Sequence, residues 1–279
     1  MTIVDVHTHN MQLEHWGPEY EANWQPVYGV PWTDVTFEAY DAAMGAVDRA
    51  IVFGITAQAV GMNTPDDYTA RFVGHNPAKY IGFMGLDPAA PDALDRLERG
   101  ATDLGLRGIK LYPVLAGFDP TDARYSAFFA RAQHYGLAVL WHFGATPSKA
   151  GRLRNSHPLL LEDVAMRFPD LKMVIAHLGH PWQKDTALVL RKHANVYADV
   201  SAQWLRTWEG FNALIGCVEW GVADKLLFGS DYPLWTPAEA MSALRALPAR
   251  YGGKGLPSLD PDLIEQIIHR DSLALLGIG

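Results

Sequence analysis

Short apolar runs recur along the whole chain and alternate with segments of helical periodicity. Each run is almost continuously hydrophobic, which is typical of strands that are covered on both faces in a parallel sheet. The pattern predicts eight strands, at residues 3–6, 50–55, 80–86, 108–111, 138–141, 173–176, 196–200 and 226–228.

The segments between these strands carry apolar residues on one helical stripe, most clearly at residues 92–104, 122–135, 158–168 and 261–276. Because strand and helix alternate, the sheet is expected to be parallel. Eight such units in 279 residues predict a closed (β/α)₈ TIM barrel, formed as a single domain over residues 1–279. An open doubly wound sheet is the alternative, but it typically has a Gly-rich turn after its first strand, where this chain has His7-Thr8-His9.

The longest stretch without a regular pattern, residues 10–33, follows the first predicted strand. It contains Trp16, Trp24 and Trp32, and this aromatic content argues against disorder. Because loops of this length are commonly functional, we expect the stretch to fold over the carboxyl end of the barrel as a partial lid. A plain packing loop is the alternative.

Composition narrows the class of protein. Hydrophobic residues make up 49% of the chain and charged residues 19%, as in a globular domain. The net charge of −8, without a cluster of Lys and Arg, argues against nucleic acid, and the apolar runs are too short to span a bilayer. The single cysteine, Cys217, suits a reducing compartment, and residues 1–5 show no signal-peptide pattern, so a cytoplasmic protein is expected.

His7 and His9 end the first strand with one residue between them. Side chains alternate along a strand, so both imidazoles are expected on one face, with Val6 and Thr8 on the other. At the carboxyl end of a barrel strand the shared face is the interior, where two imidazoles form half of a metal site.

The same position recurs on other strands. His142 ends the fifth strand, His177 ends the sixth, and Asp231 follows the eighth, so all are expected at one rim of the barrel. Imidazole and carboxylate ligands suit zinc, manganese or iron and leave a position open for water or substrate. A bound metal lowers the pKa of that water and polarises a carbonyl, and Asp231 and His177 are the candidate bases.

These sites lie within motifs that resemble those of the amidohydrolase superfamily over nearly the full length of the chain. The motifs are Asp5-Val6-His7-Thr8-His9, Gly108-Ile109-Lys110-Leu111, the strand-end His142, Ala176-His177-Leu178-Gly179 and Gly229-Ser230-Asp231. Within the superfamily, the chain resembles the amidohydrolase-related branch that holds aminocarboxymuconate semialdehyde decarboxylase and resorcylate decarboxylase.

The resemblance implies residue roles. His177 would be the catalytic histidine, and a homodimer would be expected. One divalent metal, zinc in preference to manganese, would be held by His7, His9, His142 and Asp231. Related two-metal barrels carry a carboxylated lysine on the fourth strand, but Lys110 is interpreted here as a substrate contact beside one metal.

Three further residues are candidate substrate contacts, namely His180, Trp182 and Arg206 in the loops after strands six and seven. Ser201 ends strand seven with no base expected beside it, so a serine nucleophile is not predicted.

The predicted function is metal-dependent hydrolysis of a small lactone, ester or amide through metal-activated water. The decarboxylases of the branch are usually longer than this chain, and the stretch Gly179-His180-Pro181-Trp182 resembles that of hydrolase-type members. Non-oxidative decarboxylation of an aromatic or unsaturated acid is the alternative. Two further alternatives are hydration of an unsaturated acid and ligand binding without catalysis. A small-molecule substrate is expected in each case, without nucleic-acid or membrane partners.

Overall fold

Parallel pairing of consecutive strands organises this protein. The computed structural model describes residues 2–28, 33–251, 255 and 257–279. Its strands are β1 (Val4–His9), β2 (Arg49–Phe53), β3 (Thr56–Ala57), β4 (Met62–Asn63), β5 (Tyr80–Gly85), β6 (Gly108–Leu111), β7 (Ala138–Trp141), β8 (Met173–Ile175), β9 (Val196–Asp199) and β10 (Leu226–Leu227). In the described ranges, β3 and β4 form a small antiparallel pair, and the other eight form one parallel sheet in chain order.

The two ends of this sheet meet and close it. The backbone N–H of Val6 in β1 donates to the Phe228 carbonyl at 3.0 Å, and the N–H of His9 donates to the Tyr232 carbonyl at 2.9 Å. Residues that follow β10 therefore pair with β1 and satisfy the backbone groups of what would otherwise be an edge strand. The predicted (β/α)₈ barrel is confirmed, and the open sheet is excluded.

Helices surround the barrel. They are α1 (Leu13–Glu19), α2 (Gln25–Tyr28), α3 (Phe37–Ala43), α4 (Asp66–Gly74), α5 (Ala93–Thr102), α6 (Pro113–Ala116), α7 (Ser126–His134), α8 (Leu161–Arg167), α9 (Gln183–Lys192), α10 (Thr207–Glu219), α11 (Pro237–Tyr251), α12 (Pro261–Ile268) and α13 (Ser272–Leu276). Outward strand residues such as Trp141 pack against them, with the Trp141 ring 5.5 Å from that of Phe129 in α7. No helix in the described ranges is both long and apolar enough to cross a membrane.

A bulge in β1 changes which side chains face inward. The pairing register of β1 with β2 shifts between Asp5 and Thr8. Val6 lies in the apolar cluster that contains Phe53, and the His7 ring also lies 5.2 Å from the Phe53 ring. The expectation that Val6 faces away from His7 is therefore wrong, because the extra residue in β1 interrupts strict alternation.

Two segments differ from the predicted elements. The stretch at residues 10–33 is not irregular, since α1, a π-helical turn (Tyr20–Trp24) and α2 follow one another there; Trp32 lies outside the described residues. The predicted helix at residues 261–276 is two helices, α12 and α13. The Asp271 carboxylate accepts a hydrogen bond from the Ala274 N–H at 3.1 Å, so it caps a new helix rather than continuing the first.

Candidate metal centre and active site

A cavity of about 330 Å³ lies at the carboxyl ends of the barrel strands. Side chains from β1 and β6 and from the segments after β7, β8 and β10 converge on it. Those that were predicted from sequence and that line it are His7, His9, Lys110, His142, His177, His180, Arg206 and Asp231.

Two histidines and one aspartate form a close group in this cavity. Asp231 Oδ1 lies 3.3 Å from His7 Nε2 and 3.3 Å from His9 Nε2. His9 Nδ1 is buried and has no hydrogen-bond partner among the described residues. One donor atom from each residue lies within 4.8 Å of the other two, and the set of two imidazoles and one carboxylate fits a divalent transition metal.

His142 shares the cavity but lies apart from this group. Its Nε2 is 3.1 Å from the Ala145 carbonyl oxygen, and its ring centre lies 3.9 Å from that of Tyr112, with the two ring planes tilted by 33°. The His142 ring is 5.2 Å from the ring of His177. The structure thus brings the four predicted ligands to one cavity, but only three of them offer donor atoms within mutual reach of one ion.

Burial sets the protonation of these imidazoles. Loss of hydration lowers the pKa of His7, His142 and His177 well below the usual value, and Lys110 lowers the pKa of His7 and His142 further. The pKa of His9 is also lowered by burial, although Asp231 opposes the shift. Neutral imidazole is the form that binds a metal, so burial prepares these side chains as ligands or bases.

Lys110 is the buried cation of the site. Its Nζ lies 3.5 Å from His7 Nε2 and 4.8 Å from the centre of the Phe53 ring. Burial lowers the pKa of the Lys110 ammonium to about 7, and Asp199 and Asp231 oppose that shift.

Two buried carboxylates in the site were not predicted from sequence. Asp199 accepts a hydrogen bond at Oδ2 from His7 Nδ1 at 2.9 Å. Asp5 accepts from the backbone N–H groups of His7 and Ser230, and burial raises its pKa to about 7. The signal that would have found them is a lone carboxylate inside an apolar strand, because a buried charge needs hydrogen-bond donors close by.

His177 is held in an unusual backbone conformation next to Ser201. Its φ of 55° is left-handed, which costs a non-glycine residue about 1–2 kcal/mol. His177 Nδ1 lies 2.7 Å from Ser201 Oγ, so the expectation that no base lies near this serine is wrong. Ser201 is fully buried, and its hydroxyl is held between His177 and Asp199, an arrangement unsuited to nucleophilic attack.

The predicted substrate contacts divide into two sets. Lys110, His180 and Arg206 line the cavity. Trp182 is not among the described residues that line it, because its N–H closes a turn onto the Gly179 carbonyl at 2.9 Å and its ring packs 4.9 Å from His157. Four aromatic residues complete the wall, namely Trp16, Trp24, Tyr112 and Trp235.

This chain is similar to known proteins in sequence and in fold. A family model described as Amidohydrolase matches residues 4–278. No curated protein matches the chain significantly. An uncharacterized TIM-barrel protein from Bordetella bronchiseptica superposes with a TM-score of 0.76 and 20% identity, over 99% of this chain and 100% of that one.

Two other solved structures have named activities. A probable 2-pyrone-4,6-dicarboxylic acid hydrolase from Acinetobacter baumannii, with citric acid bound, is 15% identical with a TM-score of 0.70, over 99% of this chain and 100% of that one. A 5-carboxyvanillate decarboxylase from Novosphingobium aromaticivorans, complexed with manganese, is 14% identical with a TM-score of 0.71, over 99% and 96%. At these identities the likeness establishes the fold.

Proposed function

We propose, from the premise that this chain belongs to the amidohydrolase family of enzymes, that it hydrolyses a small lactone, ester or amide with the help of one divalent metal. The family prediction made from the sequence motifs is confirmed by the match over residues 4–278. The observation that carries the choice of hydrolysis is the pairing of two proton acceptors in the cavity, the Asp231 carboxylate and the neutral His177 imidazole. Removing a proton from attacking water is the task that such acceptors suit.

His7, His9 and Asp231 would hold the metal, with His142 as the fourth ligand. When bound, a divalent cation polarises a carbonyl and acidifies water. We propose zinc, with manganese as the alternative, because two or three imidazoles and a carboxylate suit both ions.

The chain's own groups would carry out the rest of the reaction. Asp231 and His177 accept the proton that water loses and return it to the leaving group. The aromatic wall of Trp16, Trp24 and Trp235 packs on the apolar part of the substrate and excludes bulk water. Lys110 within the cavity, with His180 and Arg206 on its wall, contacts polar atoms of the substrate.

Metal content of the purified protein tests the site. Elemental analysis should find about one zinc or manganese ion per chain in the wild type and a loss of that ion in His142→Ala. His134→Ala is the matched control, because His134 is exposed on α7 and should leave the metal content unchanged. Two ions per chain would bring in Lys110 as a carboxylated bridging ligand, and no ion after supplementation would overturn the metal centre.

A screen of lactones, esters and amides with the metal-loaded protein then tests hydrolysis. Decarboxylation is the second candidate, and Lys110 favours it, since a buried ammonium with a pKa of about 7 is able to deliver a proton to carbon. Release of carbon dioxide from aromatic or unsaturated acids, without hydrolysis of any ester or lactone, would replace the first proposal with the second.

We also propose a homodimer, from the family resemblance, and a reducing cytoplasmic location, from the single Cys217. Sedimentation velocity of the purified protein would test the dimer.

A further inference from the structure

Three buried residues at the end of β9 each hold a different part of His177. The Asp199 carboxylate accepts the His177 backbone N–H at 3.0 Å. Ser201 Oγ lies 2.7 Å from His177 Nδ1, and Gln203 Nε2 donates to the His177 carbonyl at 2.8 Å. These residues are at alternate positions, i, i+2 and i+4, so one short segment binds the backbone N–H, the backbone carbonyl and the ring of a single residue.

The two backbone contacts explain how His177 keeps its left-handed conformation. Asp199 and Gln203 bind the N–H and the carbonyl of His177 from the same neighbouring segment, so rotation out of the φ of 55° would break hydrogen bonds that water cannot replace in this buried site. The orientation of the His177 ring is therefore set before any ligand enters the cavity.

The available hydrogen atoms determine which atom is the donor in the contact between His177 Nδ1 and Ser201 Oγ. Asp199 Oδ1 accepts the backbone N–H of His177 and that of Ser201, each at 3.0 Å, so this oxygen acts as an acceptor. The Ser201 hydroxyl also contacts Asp199 Oδ1, and its single hydrogen must be donated there. Ser201 Oγ is then left to accept, and the atom facing it, His177 Nδ1, must carry a hydrogen.

We propose that Asp199 and Ser201 are positioning residues that fix neutral His177 in the Nδ1–H tautomer and leave the Nε2 lone pair available to the cavity. The proposal rests on the proposed function, in which His177 accepts a proton. A proton that arrives at Nε2 gives an imidazolium whose Nδ1–H remains on Ser201, so no atom of the chain has to rearrange. In this tautomer His177 accepts a proton first and can donate only after it has done so, which suits hydrolysis and gives decarboxylation no proton from the resting ring.

The same carboxylate also orients His7. Asp199 Oδ2 receives His7 Nδ1 at 2.9 Å, so His7 Nε2 is the nitrogen directed to Asp231. Asp199 thus influences the tautomer of His7, a proposed metal ligand, and that of His177, the proposed base.

Nitrogen NMR of zinc-loaded, ¹⁵N-histidine-labelled protein tests the proposal, since zinc is diamagnetic and long-range proton–nitrogen correlations distinguish the two tautomers. His177→Asn identifies the signals of His177. In the wild type we expect a protonated Nδ1 and an unprotonated Nε2. An Nε2–H tautomer in the wild type would overturn the proposal without any mutant.

Ser201→Ala should change the tautomer ratio of His177 toward Nε2–H by about tenfold, the effect of losing one buried hydrogen bond. Ser272→Ala is the matched control, because Ser272 is an equally buried serine in α13 and should leave the His177 signals unchanged. An unchanged ratio in Ser201→Ala would also overturn the proposal. Failure to find any hydrolysed substrate would instead count against the proposed function, because the tautomer is read without turnover.

Discussion

The interior of the barrel contains two regions that differ in what they require from their residues. The apolar floor is closed by the C-terminal helix and includes Val4, Ile51, Ile81, Leu273 and Leu276. The polar mouth lies at the opposite ends of the strands and includes His7, His9, Lys110, Asp199 and Asp231. These floor residues are hydrocarbon and these mouth residues are ionisable, and all of them except His9 are buried.

The floor contributes mainly to stability, whereas the mouth provides the chemistry of the site. In the floor, burial of apolar surface is favourable and non-directional, so any apolar residue of suitable size and shape would serve. In the mouth, burial is unfavourable for each charged form, and the groups are kept by specific partners such as Asp199 on His7. The cost of burial also shifts the pKa values of the mouth, which is what makes these side chains useful as ligands and bases.

The largest effect on activity is expected from a substitution in the mouth that removes a charge but keeps the size of the side chain. Asp231→Asn removes the carboxylate that lies 3.3 Å from both His7 Nε2 and His9 Nε2. We expect kcat/KM on the substrate found by screening to fall by about 10²–10⁴-fold, the contribution of a positioned base. The urea midpoint of the metal-free protein should hardly change, because the amide has the same size as the carboxylate.

Asp185→Asn is the control for that experiment, since Asp185 lies in α9 outside the described lining of the cavity. Equal activity of Asp231→Asn and the wild type would show that the mouth does not depend on this charge.

A truncation in the floor should have the opposite signature. Leu276 is 1% exposed in α13, so Leu276→Ala removes buried methyl groups and should lower the free energy of unfolding by about 2–4 kcal/mol. Activity per folded molecule should stay at the wild-type level, because no polar group moves. Urea unfolding measures the free energy of unfolding, and active-site titration measures the activity per folded molecule. Leu275→Ala, at a less buried neighbouring position, should lower the free energy of unfolding by a smaller amount. A large loss of kcat with unchanged stability would contradict the division into two regions.

The same division explains which features were predictable. Apolar runs gave the barrel strands closely, because burial on both faces leaves a continuous hydrophobic signal in the sequence. His7, His142, His177 and Asp231 were placed at one mouth from their positions at strand ends, and they do line one cavity. The bulge in β1 was not predictable, since an extra residue carries no mark in composition or periodicity.

Partners that come from distant strands were also missed. The contact between Asp199 and His7 spans 192 residues, and only the closed barrel brings the two together. The helices α1 and α2 were missed for another reason, because Gly17, Pro18 and Pro26 interrupt the pattern that would have predicted them.

A smaller effect is expected at Asp199, which holds the proposed metal ligand His7 in place. Asp199→Asn keeps the shape of the side chain but offers an amide N–H to His7 Nδ1 in place of an acceptor, which favours the wrong His7 tautomer. We expect metal affinity to fall by about 10–100-fold, the usual effect of losing a partner of a metal-binding histidine. Competition with a chelating dye measures it. Asp163→Asn, a change in α8, provides the matched comparison, and equal affinities of Asp199→Asn and the wild type would contradict the positioning role of Asp199.

The smallest effect is expected at the rim, where the mouth meets solvent. The Arg206 side chain lines the cavity but is 60% exposed, and it lies 4.0 Å from Glu209. Because water screens an exposed charge, Arg206→Gln should raise KM for an anionic substrate by less than about fivefold and leave kcat unchanged. Arg152→Gln, in the loop after β7 but outside the described lining, should leave KM unchanged. A rise above tenfold in Arg206→Gln would mean that Arg206 is desolvated in the complex, so that the polar mouth extends further outward than the free structure indicates.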